Sequence, residues 1–306
     1  MEKPYYVKID VLIIINKSIA VIIEDKTYTS EHSNQMARYK EGLEHLQTQD
    51  KGSLNIDENT YSISKIMSVY WKTGFFYDYD KRVKADTIVD SDYLVGLLGE
   101  YRSENQVIDM YVQNLLDNRE WYSEHKKYWE QANPNSGYNE WNTNLCRNQI
   151  AQYTMMREIF PEKMTDDELL NPISHGTSFG RPWTEMTIYY NNGFEGQKGG
   201  NFELFWRIDT DSKGSYISLR LYKSEKGRWD DRYDTFKEYV KAYIGSECLY
   251  SWSDIDPGNT KSYKEADIAH FTINRELWIS DGEKLKEFIR RLTDDIIAFA
   301  GKTYDS

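Results

Sequence analysis

The chain contains little of what distinguishes secreted, zinc-binding or membrane-spanning proteins. Only two of its 306 residues are cysteines, and Cys146 and Cys248 form neither the Cys-x-x-Cys spacing of a zinc site nor a disulfide scaffold. No stretch approaches the run of about 18 apolar residues that a membrane helix needs. The apolar N-terminal stretch alternates as a strand and carries Asp10, unlike a signal peptide. We therefore expect a cytoplasmic protein without a membrane partner.

The chain is also poor in positive charge. Lys and Arg number 38 against 50 Asp and Glu, which gives a net charge of −12. Because phosphate binding depends on clusters of Lys and Arg, this balance argues against a broad nonspecific grip on DNA, although it allows a local basic patch. The 25 Tyr, 9 Trp and 11 Phe residues can bury large areas, so we expect a folded chain of one large or two smaller domains.

What the sequence does contain is an apolar hairpin close to its N-terminus. Two runs rich in β-branched residues, 7–15 and 19–24, are separated by the short polar segment 16–18. Both runs are apolar on both faces, which is typical of central strands covered by helices. If the turn has three residues, the numbers of paired residues sum to 34. A slip of one residue would move every side chain to the opposite face.

This register places three charged side chains together. Asp10 lies directly opposite Glu24, at a Cβ separation of about 4.5 to 5.5 Å. The two-residue period of a strand puts Lys26 on the face of Glu24, whereas Asp25 points away. The spacing therefore predicts that Asp10, Glu24 and Lys26 meet at one end of the hairpin.

Two interpretations of this group are open from spacing alone. In the first, Lys26 neutralises one carboxylate in a partly buried ion pair at the end of a sheet. In the second, a divalent cation such as Mg²⁺ neutralises both carboxylates, which otherwise repel each other and raise each other's pKa.

The same residues carry a resemblance to a known family. Ile9-Asp10, a spacer and Glu24-Asp25-Lys26 at a strand end resemble the core motif of the PD-(D/E)XK nuclease superfamily, with Ile9 in place of the proline. Gln35 and Tyr39 share one helical face and resemble the Gln-x-x-x-Tyr motif of RecB-like members, although alone they would be read as an ordinary surface contact. The resemblance covers residues 5–80 well and the remainder loosely.

The resemblance implies a restriction-endonuclease-like α/β fold and metal-dependent hydrolysis of DNA phosphodiester bonds. Asp10, Glu24 and Lys26 would be catalytic, with Lys26 orienting or helping to deprotonate the attacking water. Asp10, Glu24 and the main-chain carbonyl of Asp25 would bind Mg²⁺ or Mn²⁺. Gln35 and Tyr39 would position the substrate phosphate or support the site. Such a site needs a nucleophile made at neutral pH and stabilisation of charge on the phosphate oxygens.

One feature departs from the family pattern. Members usually have a helix before the hairpin that contributes a further Glu, whereas here nine residues precede Asp10 and Glu2 is the sole acidic one among them. We expect either that the chain is a fragment of a longer protein or that its site is assembled without that residue. The second case favours the alternative function, a catalytically inactive nuclease-fold protein that binds or regulates. Many family enzymes act as homodimers, and no coiled-coil pattern decides whether this chain does.

The pattern of periodicity changes from Pro172, and we place the domain boundary at residue 165. We predict a nuclease-like core with helical elaboration over 1–165, in which helices flank a mixed sheet, and an α+β section with an antiparallel meander over 166–306. The predicted helices are 31–47, 92–104, 105–131, 140–160, 233–243 and 282–300, and the strands after the hairpin are 63–71, 184–190, 202–208, 216–222 and 268–273.

Three features of the second half have simpler explanations than ligand binding. Arg207 and Arg220, with Trp183 nearby, interleave basic and aromatic side chains as nucleic-acid surfaces do, but a solvated strand face explains them better. The glycine-rich run 193–200 lacks the Lys-Ser/Thr ending of a phosphate-binding loop. Segment 209–214 resembles the start of a calcium loop but lacks the downstream ligand.

Overall fold

The computed structural model divides the chain into two compact units, residues 1–123 and 124–306. None of the helices within the described stretches is long and apolar enough to cross a membrane. The structure describes residues 8–27, 34–49, 53–56, 59–102, 105–125, 149–161, 173–178, 181–191, 202–210, 215–223, 231–247, 265–273 and 275–304.

The predicted N-terminal hairpin is present in the predicted register. Val11 pairs with Ile23, so the paired residue numbers sum to 34. In the three-residue turn, Asn16 and Lys17 have φ angles of 50° and 58°, the left-handed conformation that tight hairpin turns use. The two antiparallel strands are β1 (Val11–Ile15) and β2 (Ile19–Lys26).

The hairpin belongs to a four-stranded mixed sheet. The later strands of this unit are β3 (Leu54–Ile56), β4 (Asn59–Tyr61), β5 (Lys65–Lys72) and β6 (Thr87–Asp90). Strand β2 pairs in parallel with β5, and β5 pairs in parallel with β6, which gives the order β1-β2-β5-β6. Strands β3 and β4 form a separate small hairpin. We did not predict β3, β4 and β6, because strands of three or four residues are too short to show alternation.

Helix α1 (Gln35–Gln49) packs on one face of this sheet. Ala20 and Ile22 of β2 form a core cluster with Tyr39 and Leu43 of α1. Because side chains alternate along a strand, Glu24 continues the same buried face. The helix that carries the predicted Gln-x-x-x-Tyr pair therefore packs on the face that carries the predicted carboxylate.

Two further helices follow β6. Asp90 caps the first of them, since its Oδ1 accepts the backbone N–H of Tyr93 at 2.8 Å. A core cluster joins Val89 of β6 to Leu94 and Leu115 of these helices. Both helices were predicted, with ends that differ by several residues. They are α2 (Ser91–Gly99) and α3 (Gln106–His125).

The segment that follows β5, which includes Gly74, packs closely against the backbone at the end of β2. The backbone N–H of Thr73 donates to the Lys26 carbonyl at 3.1 Å, and a Cβ atom at Gly74 would overlap the backbone carbonyl of Thr27. We expect Gly74→Ala to lower the free energy of unfolding by about 1 to 3 kcal/mol, as overpacking does when backbone must shift. Urea titration of both proteins measures the effect, with Gly96→Ala as the control because a Cβ there meets nothing. Equal losses in the two variants would contradict this account.

The second unit is built on a five-stranded antiparallel sheet in the order β11-β10-β9-β8-β7. Its strands are β7 (Ser174–Ser178), β8 (Arg181–Asn191), β9 (Phe202–Thr210), β10 (Ser215–Lys223) and β11 (Glu265–Ile273). The predicted meander is confirmed, with β7 as an additional edge strand. The glycine-rich run 193–200 lies outside the described residues, as do 211–214 of the calcium-like segment.

Within the described residues, three helices accompany this sheet: α4 (Gln149–Ile159), α5 (Asp231–Glu247) and α6 (Arg275–Tyr304). The indole N–H of Trp206 donates to Thr293 Oγ1 at 2.8 Å, which ties β9 to α6 inside the core. Helix α6 has non-helical backbone angles at Asp281, and the predicted helix from residue 282 corresponds to the part after this kink.

Helix α4 packs on the sheet of the second unit, whereas the sequence-based domain boundary assigned it to the first domain. It was predicted as the end of a longer helix, 140–160, within the first domain, and residues 126–148 lie outside the described part. Gln152 of α4 donates to the Pro182 carbonyl at 3.1 Å and accepts from Thr184 Oγ1 at 3.3 Å. These bonds to β8 place α4 in the second unit, so the boundary between the units along the chain lies between residues 123 and 124 rather than at 165.

Candidate functional site

All five side chains predicted to form the site lie together in the first unit. Asp10, Glu24 and Lys26 come from the hairpin, and Gln35 and Tyr39 come from the first turns of α1. The strand register brings the hairpin residues together, and the packing of α1 on β2 brings the helix residues to them.

Glu24 is the centre of the group. Its side chain is 0% exposed, and its carboxylate forms an ion pair with Lys26, whose side chain is 14% exposed. Burial raises the pKa of Glu24 above its ordinary value, which the Lys26 ammonium opposes and the Asp10 carboxylate reinforces. Lys26, Asp10 and Tyr39 all act on this carboxylate, yet neither oxygen accepts a well-formed hydrogen bond from any described residue.

Asp10 lies just before β1, rather than inside a strand that begins at residue 7 as predicted. Its Oδ2 accepts the backbone N–H of Asp25 at 3.2 Å. The Asp25 side chain is exposed on the opposite face, as the two-residue period predicts. Its main-chain carbonyl is therefore the group through which Asp25 could serve a site on the Glu24 face.

Gln35 and Tyr39 support Glu24 from the helix. Gln35 Nε2 donates to the Tyr39 hydroxyl at 3.1 Å. Burial raises the pKa of Tyr39, and the neighbouring Glu24 and Asp10 carboxylates raise it further. The phenol therefore stays protonated near neutral pH, and its O–H remains a donor beside the carboxylates.

Sequence reasoning missed a second polar cluster on the same face. Lys72 is 0% exposed at the end of β5, where its Cα is paired with that of Lys26. Asp80, also buried, accepts the Tyr70 hydroxyl at 2.6 Å and the backbone N–H of Tyr77 at 2.8 Å. Burial lowers the pKa of Lys72, and the Asp80 carboxylate opposes this shift. The parallel pairing of β2 with β5 was the missing signal.

The two neighbouring carboxylates, Asp10 and Glu24, are suitable ligands for a divalent cation. The buried Glu24 oxygens accept no well-formed hydrogen bond within the described residues, and Asp10 lies beside them. A hard cation held by oxygen atoms would satisfy both carboxylates. The described residues contain no group of three or more His, Cys, Asp or Glu side chains placed to hold a metal. Asp10 and Glu24 would therefore need the Asp25 carbonyl and water as further ligands.

The arginines of the second unit do not form a solvated face, so that interpretation was wrong. Arg207 is 8% exposed, and its guanidinium lies over the Trp183 ring at 4.9 Å from the centroid. Burial raises the pKa of both Glu185 and Asp267, and the neighbouring arginines oppose this shift. Because both arginines are engaged by carboxylates, the cluster is poorly suited to bind phosphate. The ion pairs join Arg207 to Glu185, Asp209 and Glu265, and Arg220 to Asp209, Glu265 and Asp267.

Comparisons of the chain with protein-family models, with curated proteins and with solved structures find no match.

Proposed function

We propose that this chain is a Mg²⁺-dependent phosphodiesterase of the PD-(D/E)XK type that hydrolyses DNA. One observation carries the proposal: a buried carboxylate without a well-formed hydrogen bond among the described residues lies beside a second carboxylate and a lysine, on strands paired in the predicted register. A fully buried glutamate is costly to keep, and its pKa is raised even though Lys26 is adjacent. Such a cost is typical of functional sites.

The chemistry follows from where each group lies. A bound cation would supply charge neutralisation for the scissile phosphate and help to generate the nucleophile. Asp10 and Glu24 would hold it, together with the Asp25 carbonyl. Lys26 lies beside Glu24 with part of its surface exposed, so it can orient a water molecule for attack on phosphorus. Tyr39, held by Gln35, keeps a hydroxyl donor that can hydrogen-bond a phosphate oxygen.

The proposal predicts cleavage that depends on both the metal and Asp10. We expect the protein to cut single- or double-stranded DNA with Mg²⁺ or Mn²⁺ but not with EDTA. Asp10→Asn keeps the shape and an acceptor for the Asp25 N–H, but it removes a charge that the cation needs. We expect the rate to fall by about 10²- to 10³-fold, the range found when a group that stabilises charge in the transition state is removed. Gel electrophoresis of labelled DNA measures the rate.

Asp92→Asn is the matched control. Asp92 lies in the same unit and pairs with Arg119 at 3.1 Å, with 67% of its side chain exposed. We expect this variant to cleave as the wild type does. Equal residual cleavage in the wild type and Asp10→Asn would show that a contaminant is responsible and would contradict the proposal.

A second candidate is a catalytically inactive protein that keeps the nuclease fold for binding or regulation. Its supporting observation is the Lys26–Glu24 ion pair, which supplies a counter-charge without a metal. The net charge of −12 also favours a binding partner other than bulk DNA. Binding of DNA or of a partner without any metal-dependent cleavage would favour this candidate. A cytoplasmic location and a homodimer remain predictions.

A further inference from the structure

A short basic segment, residues 80–84, lies in the connection between β5 and β6. Lys81, Arg82 and Lys84 are exposed there, whereas Asp80 and Val83 between them are buried. The chain as a whole has a net charge of −12, yet this segment presents three positive side chains at nearly adjacent positions. Alternation of buried anchors with exposed basic side chains fixes the positions from which these charges project.

The first anchor holds the basic segment on the face of the sheet that carries Glu24. The Asp80 carboxylate accepts the Tyr70 hydroxyl at 2.6 Å and the backbone N–H of Tyr77 at 2.8 Å. Tyr70 is the Cα partner of Glu24 across β2 and β5, and paired residues of neighbouring strands point to the same face. The segment is therefore tied to the residue that lies next to the centre of the proposed site.

The second anchor joins the basic segment to helix α1. Val83 packs in a core cluster with Met36 of α1 and Tyr70 of β5. Met36 directly follows Gln35, which belongs to the proposed site. The same strand and the same helix thus hold both the site and the segment. Because its backbone is already fixed at two points, a ligand that binds the segment would pay little for ordering it.

Two carboxylates close to the basic side chains have hydrogen-bond donors of their own. Asp80 is buried and bound as described above. Asp86 Oδ2 accepts the backbone N–H and the hydroxyl of Ser68 at 2.8 Å and 2.9 Å, and Lys40 Nζ lies 3.4 Å from Oδ1. Neither carboxylate therefore requires the basic side chains of the segment as its counter-charge.

We propose that Lys81, Arg82 and Lys84 bind the phosphate backbone of DNA and hold it against the proposed metal site. This inference rests on the proposed function, because it concerns the same substrate. Lys and Arg contacts to phosphate position a duplex without reading its sequence. A local basic segment beside the site also explains how an acidic chain binds DNA. The three side chains serve binding and take no part in proton transfer.

The salt dependence of DNA binding tests the proposal in the full-length chain. We use a fluorescent duplex in EDTA, so that no cleavage occurs, and measure anisotropy over a range of salt concentrations. A plot of log binding constant against log salt concentration steepens by about 0.9 for each phosphate neutralised, so Lys81→Gln/Arg82→Gln should make the slope shallower by about 2. Lys84→Gln alone should make it shallower by about 0.9.

Lys17→Gln/Lys65→Gln is the matched control, since it removes the same charge from the same unit. Lys17 lies in the hairpin turn and Lys65 begins β5, and both are exposed. Lys65 is about 23 Å along β5 from Lys72, at the end of the strand far from the site. We expect the slope of the wild type in this control. We expect it also in Lys81→Arg/Arg82→Lys, which keeps both charges.

Cleavage kinetics give a second readout that a merely structural role would not produce. Lys81→Gln/Arg82→Gln should raise KM and leave kcat unchanged, the pattern for loss of uniform substrate binding. An unchanged salt slope in this variant, an equal change in the control, or a wild type that binds no DNA would overturn the inference. A wild type that does not cleave DNA, with the slope still shallower in the variant, would instead overturn the proposed function and leave the inference intact.

Discussion

Lys26→Met is expected to lower the Mg²⁺-dependent cleavage rate by about 10²- to 10⁴-fold, the usual contribution of a group that assists proton transfer. Lys26 is the ammonium next to Glu24, and its side chain remains partly exposed, so it can reach a water molecule near the metal. Methionine keeps most of the volume and removes the charge. In the proposed mechanism Lys26 acts on the attacking water, so the effect should appear in kcat. Single-turnover cleavage with excess enzyme measures this step.

Lys40→Met is the matched control for Lys26→Met. Lys40 belongs to the same unit and pairs with Asp86 at 3.4 Å, with 37% of its side chain exposed. Surface ion pairs of this kind contribute about 0 to 1 kcal/mol, so neither stability nor rate should change much. An equal fall in rate for the two lysine variants would show that Lys26 has no special role in cleavage.

Glu24→Gln is expected to have opposite effects on stability and on function. The buried Glu24 carboxylate lacks a well-formed hydrogen bond among the described residues, and its pKa is raised although Lys26 lies beside it. Because burial disfavours the charged carboxylate in the folded protein even with Lys26 beside it, a neutral amide of the same shape should increase the free energy of unfolding at pH 7, by about 1 to 3 kcal/mol, the range for a buried polar group that is incompletely paired. Metal-dependent cleavage should be lost, because the amide is a much poorer ligand for Mg²⁺.

The stability difference has a definite dependence on pH. Because the pKa of Glu24 is raised in the folded state above its ordinary 4.5, its favourable contribution is present below pH 4.5 and is lost as the pH rises through the folded value. The wild type and Glu24→Gln should thus be similarly stable in acid and diverge toward neutral pH. Urea unfolding from pH 4 to pH 8 measures this, with the exposed Glu41→Gln as a control. A wild type more stable than Glu24→Gln at pH 7 without metal would contradict the assignment.

Mg²⁺ should reverse the order of stability. A ligand that binds only the folded state adds about 4.1 kcal/mol at 1,000 times its dissociation constant, which exceeds the difference expected between the two proteins without metal. We expect this gain in the wild type but not in Glu24→Gln. The comparison separates a metal site from a structural ion pair without requiring activity, because an ion pair between Lys26 and Glu24 would gain nothing from the cation.

The hairpin, and the side chains that share one of its faces, could be predicted from the sequence because they depend only on residues close together along the chain. A three-residue turn and β-branched runs fix the register, and the register fixes the positions of Asp10, Glu24 and Lys26. Gln35 and Tyr39 followed from helical spacing and from the resemblance. The long strands of the second unit were predicted for the same reason, since each has enough residues to show alternation.

The parts that sequence reasoning missed depend on contacts between distant segments. The polar cluster of Lys72 and Asp80 can be recognised only from the pairing of β5 with β2 and from the short 3-10 helix Asp78–Arg82, which places Asp80 against Tyr70. The exposure of Arg207 was misjudged because alternation identifies the two faces of a strand but not which of them is covered. Helix α4 gave no local sign that its apolar residues pack on β8 rather than on the first sheet.

The central claim is that Asp10 and Glu24 hold a divalent metal, and a crystal soaked in Mn²⁺ tests it most directly. We expect an anomalous peak between the two carboxylates, about 2.0 to 2.4 Å from their oxygens, with the Asp25 carbonyl as a further ligand. Lys26 should then no longer be the cation that contacts the Glu24 carboxylate most closely. No peak at this position, with Lys26 still paired to Glu24 at saturating Mn²⁺, would contradict the account.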